Sequence, residues 1–177
     1  MRTAVIILVI MILALVAALI LVGPGAPVSG PVNVPRTESV ANGAWETSWH
    51  AALARASAEQ RPVLAFFTGS DWCPPCQQVK REVFSAPAFT AWAQRRVVRL
   101  ELDYPARLPQ PDDLRAQNDA LQRHFAIRGY PSTLLISAQG DELGRFESVP
   151  SGGVDGYIAA VEKILATPAP APSTPAR

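Results

Sequence analysis

The sequence predicts an α/β fold in which a mixed central sheet carries helices on both faces, and three observations predict it. Between Gly43 and Ala166, apolar residues at helical spacing alternate with short strand-like runs. Late in that region Thr133–Ser137, a turn at Ala138–Asp141, and Glu142–Phe146 read as a β-hairpin. Val154, Tyr157, Ile158, Val161 and Leu165 then give a closing amphipathic helix. The order is α-β-α-β-α-β-β-α, and about 120 residues suffice to bury such a core.

Ahead of this region lies an unbroken apolar run, Ala4–Val22, about 28 Å long as a helix at roughly 1.5 Å per residue. That length spans a bilayer, so residues 1–22 read as an N-terminal transmembrane helix, with a cleaved signal peptide as the alternative. The anchor is favoured because the run exceeds the roughly 7–15 residues of a signal core, and Pro27 directly after Ala26 makes a poor cleavage site. Arg2 and the amino terminus set an N-in orientation, which leaves the rest of the chain outside the cytoplasm, on the periplasmic side in a Gram-negative cell. Cleavage would make the chain a secreted protein instead. Residues 23–42, rich in Gly, Pro, Val and Ser, read as a flexible tether, and the Pro/Ala-rich stretch 167–177 as an extended tail.

Within the domain, 43–166, Trp45, Trp49, Ala52, Leu53 and Ala56 are spaced for one face of a first helix. The strand Val63–Phe67 follows, and then a helix running from Cys73 to Phe84. Ser85 to Ala88 breaks it, and Phe89 and Trp92 mark the apolar side of a restart. Val97–Asp103 alternates like a half-buried strand. After the proline-containing loop Tyr104–Pro111, Leu114, Leu121 and Phe125 define a helix with Asp112 and Asp113 near its positive end.

The only two cysteines, Cys73 and Cys76, are separated by two prolines at the junction of strand and helix. That spacing allows a disulfide within one helical turn. With Cys73 as N-cap, Pro74 takes the first helical position, where a missing N–H costs nothing. The helix N-terminus favours thiolate at Cys73, the attacking species in disulfide exchange, and Cys76 would resolve the mixed disulfide. A purely structural disulfide is the plainer alternative, but so short a loop constrains the unfolded chain little. A closed zinc site needs four ligands; His50 and His124 stand alone and read as ordinary helix residues, and a Cu(I) site made from the cysteine pair and one histidine is the remaining metal option. The formal net charge of +1, with no basic cluster among aromatics, gives no basis for nucleic-acid binding.

Three features in this order resemble the thioredoxin superfamily: a strand entering Trp72-Cys73-Pro74-Pro75-Cys76, the strand Val97–Asp103, and Gly129-Tyr130-Pro131-Ser132-Thr133 directly before a strand. More closely, the run from Phe67 to Cys76, with Glu82-Val83-Phe84 and Leu102-Asp103 downstream, resembles secreted or membrane-tethered bacterial thioredoxin-like proteins. The resemblance implies a thioredoxin fold and thiol–disulfide exchange without organic cofactor or metal. It makes Cys73 the nucleophile, Cys76 the resolving thiol, Pro131 a cis-proline beside the pair, and Tyr130 and Trp72 substrate-facing residues. Disulfide-bonded proteins would be the substrates, and a membrane thiol the electron donor if the net reaction is reduction.

Two departures from thioredoxin stand out. Pro74 replaces a glycine, so the Cys76 N–H is the one donor near Cys73, and the strand Val63–Phe67 lacks the family's buried acid. With Asp71 adding negative charge nearby, weak thiolate stabilisation favours a reductase or isomerase over an oxidase. Asp71 and Lys80 themselves read as solvated charges. Two other classes compete: a non-catalytic thioredoxin-fold binding module, which would survive Cys73→Ser, and a Cu(I) carrier, which would bind metal stoichiometrically through the reduced pair.

Overall fold

The computed structural model describes residues Ala44–Thr167. The transmembrane or signal segment 1–22, the tether 23–42 and the tail beyond Thr167 lie outside the described residues. The elements are α1 (Trp49–Glu59), β1 (Val63–Thr68), α2 (Pro74–Val79), a π-helical turn (Lys80–Phe84), α3 (Pro87–Arg96), β2 (Val98–Asp103), α4 (Asp112–His124), β3 (Ser132–Ile136), β4 (Glu142–Phe146) and α5 (Gly153–Leu165).

The strands form one mixed sheet in the order β2-β1-β3-β4. β1 runs parallel to β2 and antiparallel to β3, and β3 pairs antiparallel with β4. Both faces of β1 are buried, so its sequence is a continuous apolar run without alternation. Val63, Ala65 and Phe67 face α1 and α4, packing with Ala52, Ala56, Leu121 and Phe125. Leu64 and Phe66 face the other way, into a cluster with Val79, Phe84, Phe89, Tyr157 and Val161 that also holds Cys73 and Cys76. Each fully buried Phe or Leu contributes roughly 1.5–3 kcal/mol by leaving water, so both layers are strongly driven.

Three local expectations need correction. Trp45 does not continue the apolar face of α1. The helix starts at Trp49, capped by the Ser48 hydroxyl, which accepts from the Ala51 N–H at 3.3 Å. Just before it, Glu46 pairs along the outer edge of β2, donating its N–H to the Arg99 carbonyl (2.9 Å) and accepting from the Glu101 N–H (2.8 Å). Trp45 thereby joins the opposite layer, against Phe84 (4.7 Å between ring centres) and Phe66 (6.2 Å).

The helix from Cys73 to Phe84 is also not uniform. After Val79 it widens into the π-helical turn, closed by the Ser85 N–H on the Lys80 carbonyl at 3.1 Å. Val83 and Phe84, consecutive within this wider turn, are both buried in the core. On α4, Leu114 is half-buried, and polar Asn118 takes a buried position. Asn118 is satisfied there because its side-chain N–H donates to the Asp103 carbonyl (2.8 Å) and its side-chain oxygen accepts from the Gln117 amide (3.0 Å), while its backbone carbonyl accepts from the Tyr104 hydroxyl (2.6 Å).

Candidate active site

The register Phe67 to Ser132 puts the C-terminal end of β1 beside the N-terminal end of β3. The Trp72–Cys76 segment leaves the first and Tyr130-Pro131 enters the second, so Trp72, Cys73, Cys76, Tyr130 and Pro131 come to the same end of the sheet.

At six residues α2 is too short to hold itself, and its start is fixed by its neighbours. Cys73 is the N-cap, with Pro74 and Pro75 opening the helix. Neither proline has an N–H, so the donor that reaches Cys73 Sγ is the Cys76 N–H, at 3.3 Å. The two cysteines form a disulfide with a Cα–Cα distance of 5.3 Å. Cys73 keeps 3% of its surface exposed and Cys76 none, so reagents from outside meet Cys73.

Trp72 flanks the pair and is 44% exposed. Its indole packs close against Gly69, where a Cβ would stand 2.3 Å from Trp72 Cε2. The indole N–H donates to the Tyr104 carbonyl at 2.8 Å, and the ring meets Tyr130 edge-on at 5.5 Å. Tyr130 packs at the seam of the two core layers, its hydroxyl accepting from the Gln122 amide at 2.9 Å. Burial, with the Asp119 charge adding to it, pushes the Tyr130 phenol up to about 12. The Tyr130-Pro131 peptide is cis, and the Ser132 hydroxyl donates to the Gly129 carbonyl at 2.7 Å.

Neither charged residue beside the motif is simply solvated. The Asp71 carboxylate accepts three successive backbone N–H groups, Ala106 (2.9 Å) on Oδ1, and Arg107 (2.7 Å) and Leu108 (3.0 Å) on Oδ2. Those bonds, Ala106 foremost, hold its carboxyl below the usual carboxylate range. Lys80, one helical turn beyond Cys76, pairs with Glu101 on β2 at 2.5 Å. Asp103 accepts from the Ser70 N–H (2.8 Å) and hydroxyl (2.6 Å), tying the end of β2 to the approach to the motif. β1 carries no ionisable side chain.

Sequence reasoning missed Gly69, Tyr104 and the clasp made by Asp71. The Asp71 partners lie 35 to 37 residues away, beyond any periodicity, and the one available signal was a loop with three prolines, Pro105, Pro109 and Pro111, which cannot supply N–H groups of their own.

Residues 49–152 match the thioredoxin-like domain family. The chain is 32% identical over 135 residues to the disulfide bond reductase DsbH of Chlamydia pneumoniae, an alignment covering 75% of this chain and 80% of that protein. It is 34% identical over 104 residues to the thioredoxin-related protein DsbJ of Chlamydia pneumoniae, covering 59% of this chain and 30% of that one. A solved DsbH oxidoreductase superposes with a TM-score of 0.66 at 28% identity, over 82% of this chain and 96% of the other.

Proposed function

The chain belongs to the thioredoxin-like domain family, and from that premise we propose that it is a membrane-tethered, extracytoplasmic thiol–disulfide oxidoreductase whose net reaction is disulfide reduction or isomerisation. The observation that carries this is the Cys73–Cys76 disulfide at the N-cap of α2, with Cys73 alone reachable and Tyr130 packed against the cluster that holds both sulfurs.

In the reducing direction the Cys73 thiolate attacks one sulfur of a substrate disulfide, forming a mixed disulfide and releasing the other substrate sulfur as a thiolate that takes up a proton. Cys76 then gives up its proton and attacks Cys73 Sγ. The second substrate sulfur leaves as a thiol, and the two electrons of the dithiol have passed to the substrate. Pro131 shapes the turn that brings the Tyr130 backbone to the substrate chain, and Trp72 covers one side of the mixed disulfide. A membrane thiol donor restores the dithiol, and the apolar segment 1–22 holds the domain near such a donor.

The direction rests on how little stabilises a Cys73 thiolate. One N–H reaches its sulfur, and β1 offers no buried acid. A poorly stabilised reduced form makes a reductant, and the relative DsbH carries the name of a reductase.

The test is the Cys73–Cys76 reduction potential of the full chain in detergent, equilibrated with glutathione buffers, with Cys73→Ser as control. A potential near about −270 mV supports the reductase, and one near about −120 mV makes the chain a disulfide donor and overturns the direction. Cys73→Ser abolishes exchange; if it does not, the binding-module alternative takes over.

A further inference from the structure

Apart from the redox chemistry, we propose that the cavity at the end of the sheet away from the disulfide is a phosphate-binding site anchored by Arg95, and that its ligand is the glycerophosphate headgroup of an anionic phospholipid. The phosphate chemistry stands on the cavity alone; the choice of a lipid over a soluble phosphate ester rests on the membrane tether proposed above.

Val63 pairs with Ile136, so Pro62 and Ser137 meet at this end, and Arg95 and Arg96 close α3 just ahead of β2. The cavity between them, about 640 Å³, is lined by three guanidinium groups, those of Arg61, Arg95 and Arg96, and by no carboxylate. Two of the three are partly spent. Arg61 is held by Glu59, and Arg96 gives Nε and Nη2 to Glu162, which leaves its Nη1. Arg95 is exposed and makes no hydrogen bond or ion pair among the described residues. With two carboxylates set against three guanidiniums, the charge left over is that of Arg95. Its planar fork of N–H donors fits two oxygens of a phosphate, and the Gln60 and Gln139 side chains on the lining add amide donors.

A bare phosphate is too small for this space, which lies within the roughly 300–1,000 Å³ of small-molecule pockets. The lining also carries Pro62, Ala138, Leu143 and Leu165, so an anion with a short apolar body fits it better than a bare ion. The path of the chain points to where such an anion comes from. Glu46 runs parallel to β2, so the residues before it lie towards the start of β2, which Arg95 and Arg96 directly precede. Leu165, the last residue of α5, itself lines the cavity. The chain thus enters and leaves the domain at the cavity end, and a tether to a bilayer keeps phosphate headgroups at high local concentration.

Native mass spectrometry of the full chain in a non-ionic detergent tests this. Phosphatidylglycerol and phosphatidylcholine with the same acyl chains are added in equal amounts, and the ratio of the two one-lipid adducts is read. The wild type is expected to favour phosphatidylglycerol by about fivefold, and Arg95→Gln to fall to about twofold or less. Arg115→Gln, which removes an exposed cation of α4 outside the cavity, should keep the wild-type ratio. Thermal unfolding and glutathione exchange of Arg95→Gln should match the wild type, so that a lost preference is not a lost fold. A second sample receives glycerol 3-phosphate at the same concentration. If that adduct is as abundant as the phosphatidylglycerol adduct and disappears in Arg95→Gln, the site takes soluble phosphate esters and the lipid assignment is overturned. A wild-type ratio near one without a glycerol 3-phosphate adduct, or a preference kept by Arg95→Gln, overturns the site altogether. The tether is read separately, by whether the chain sediments with membranes; should it fail there, the adducts still decide the phosphate site.

Discussion

The two ends of the sheet are built on opposite plans. At the disulfide end, Trp72, Leu108 and Val149 keep much of their apolar surface exposed. At the other end a cavity of about 640 Å³ opens among Arg61, Arg95, Arg96, Ser137 and Leu165. Much of its charge is satisfied within the fold. Arg61 pairs with Glu59 and donates to the Gln94 carbonyl, and Arg96 holds Glu162 with two bonds (2.8 and 2.7 Å) while the Trp92 indole donates to the same carboxylate (2.8 Å). The roomier end spends much of its charge on itself; the disulfide end keeps one reachable sulfur and exposed apolar surface. Volume is therefore a poor guide to where this chain acts.

The contrast can be broken most severely from beneath the disulfide. Phe84 lies 4.7 Å from Trp45, 4.8 Å from Phe66, 4.9 Å from Phe89 and 5.2 Å from Tyr157 between ring centres, in the layer that holds both cysteines. Phe84→Ala is expected to cost about 3–5 kcal/mol in urea unfolding. A loss under about 1 kcal/mol would show that α2 is held by something other than this aromatic cluster.

A smaller effect belongs to the seat of Trp72. In Gly69→Ala the new methyl has to push the indole off the Tyr104 carbonyl, at a cost of about 1–3 kcal/mol. Indole emission should shift to the red, and an unchanged spectrum would mean the ring is not fixed as described. At the far end, Arg96→Gln removes a pair whose side chains are 49% and 36% exposed, so the expected loss is at most about 1 kcal/mol, and glutathione exchange should stay within about twofold. A larger fall in exchange would erase the distinction between the ends.

The gentlest perturbation is acid. The folded-state pKa of Asp71 is depressed, so its contribution is present above the ordinary carboxylate value of about 3.9 and is lost as pH falls through the lower folded value. Indole emission of the wild type should therefore change in that acid window, and Asp71→Asn should remove the step. A step of equal size in the variant would place its origin in another carboxylate.

The order of elements, the cysteine pair and the proline before β3 were legible in the sequence because each is local: periodicity, a two-residue spacing, a proline directly ahead of a strand. Trp45 was misplaced because helical spacing alone cannot see that Glu46 is claimed by the edge of β2. Leu114 gave way to Asn118 as the buried contact because a side-chain amide that donates to the Asp103 carbonyl and accepts from the Gln117 amide belongs inside. The Asp71 clasp joins segments that touch only after the sheet has formed.

Under the function proposed above, the complete burial of Cys76 beside a slightly exposed Cys73 also sets what is expected when the dithiol meets an oxidant. Peroxide arriving from solvent meets Cys73 and leaves a sulfenic acid there. The neighbouring thiol condenses with that group to a disulfide and water before it climbs to the irreversible sulfinic stage. Oxidative injury is thus converted into the ordinary oxidised form, which the next pair of electrons repairs.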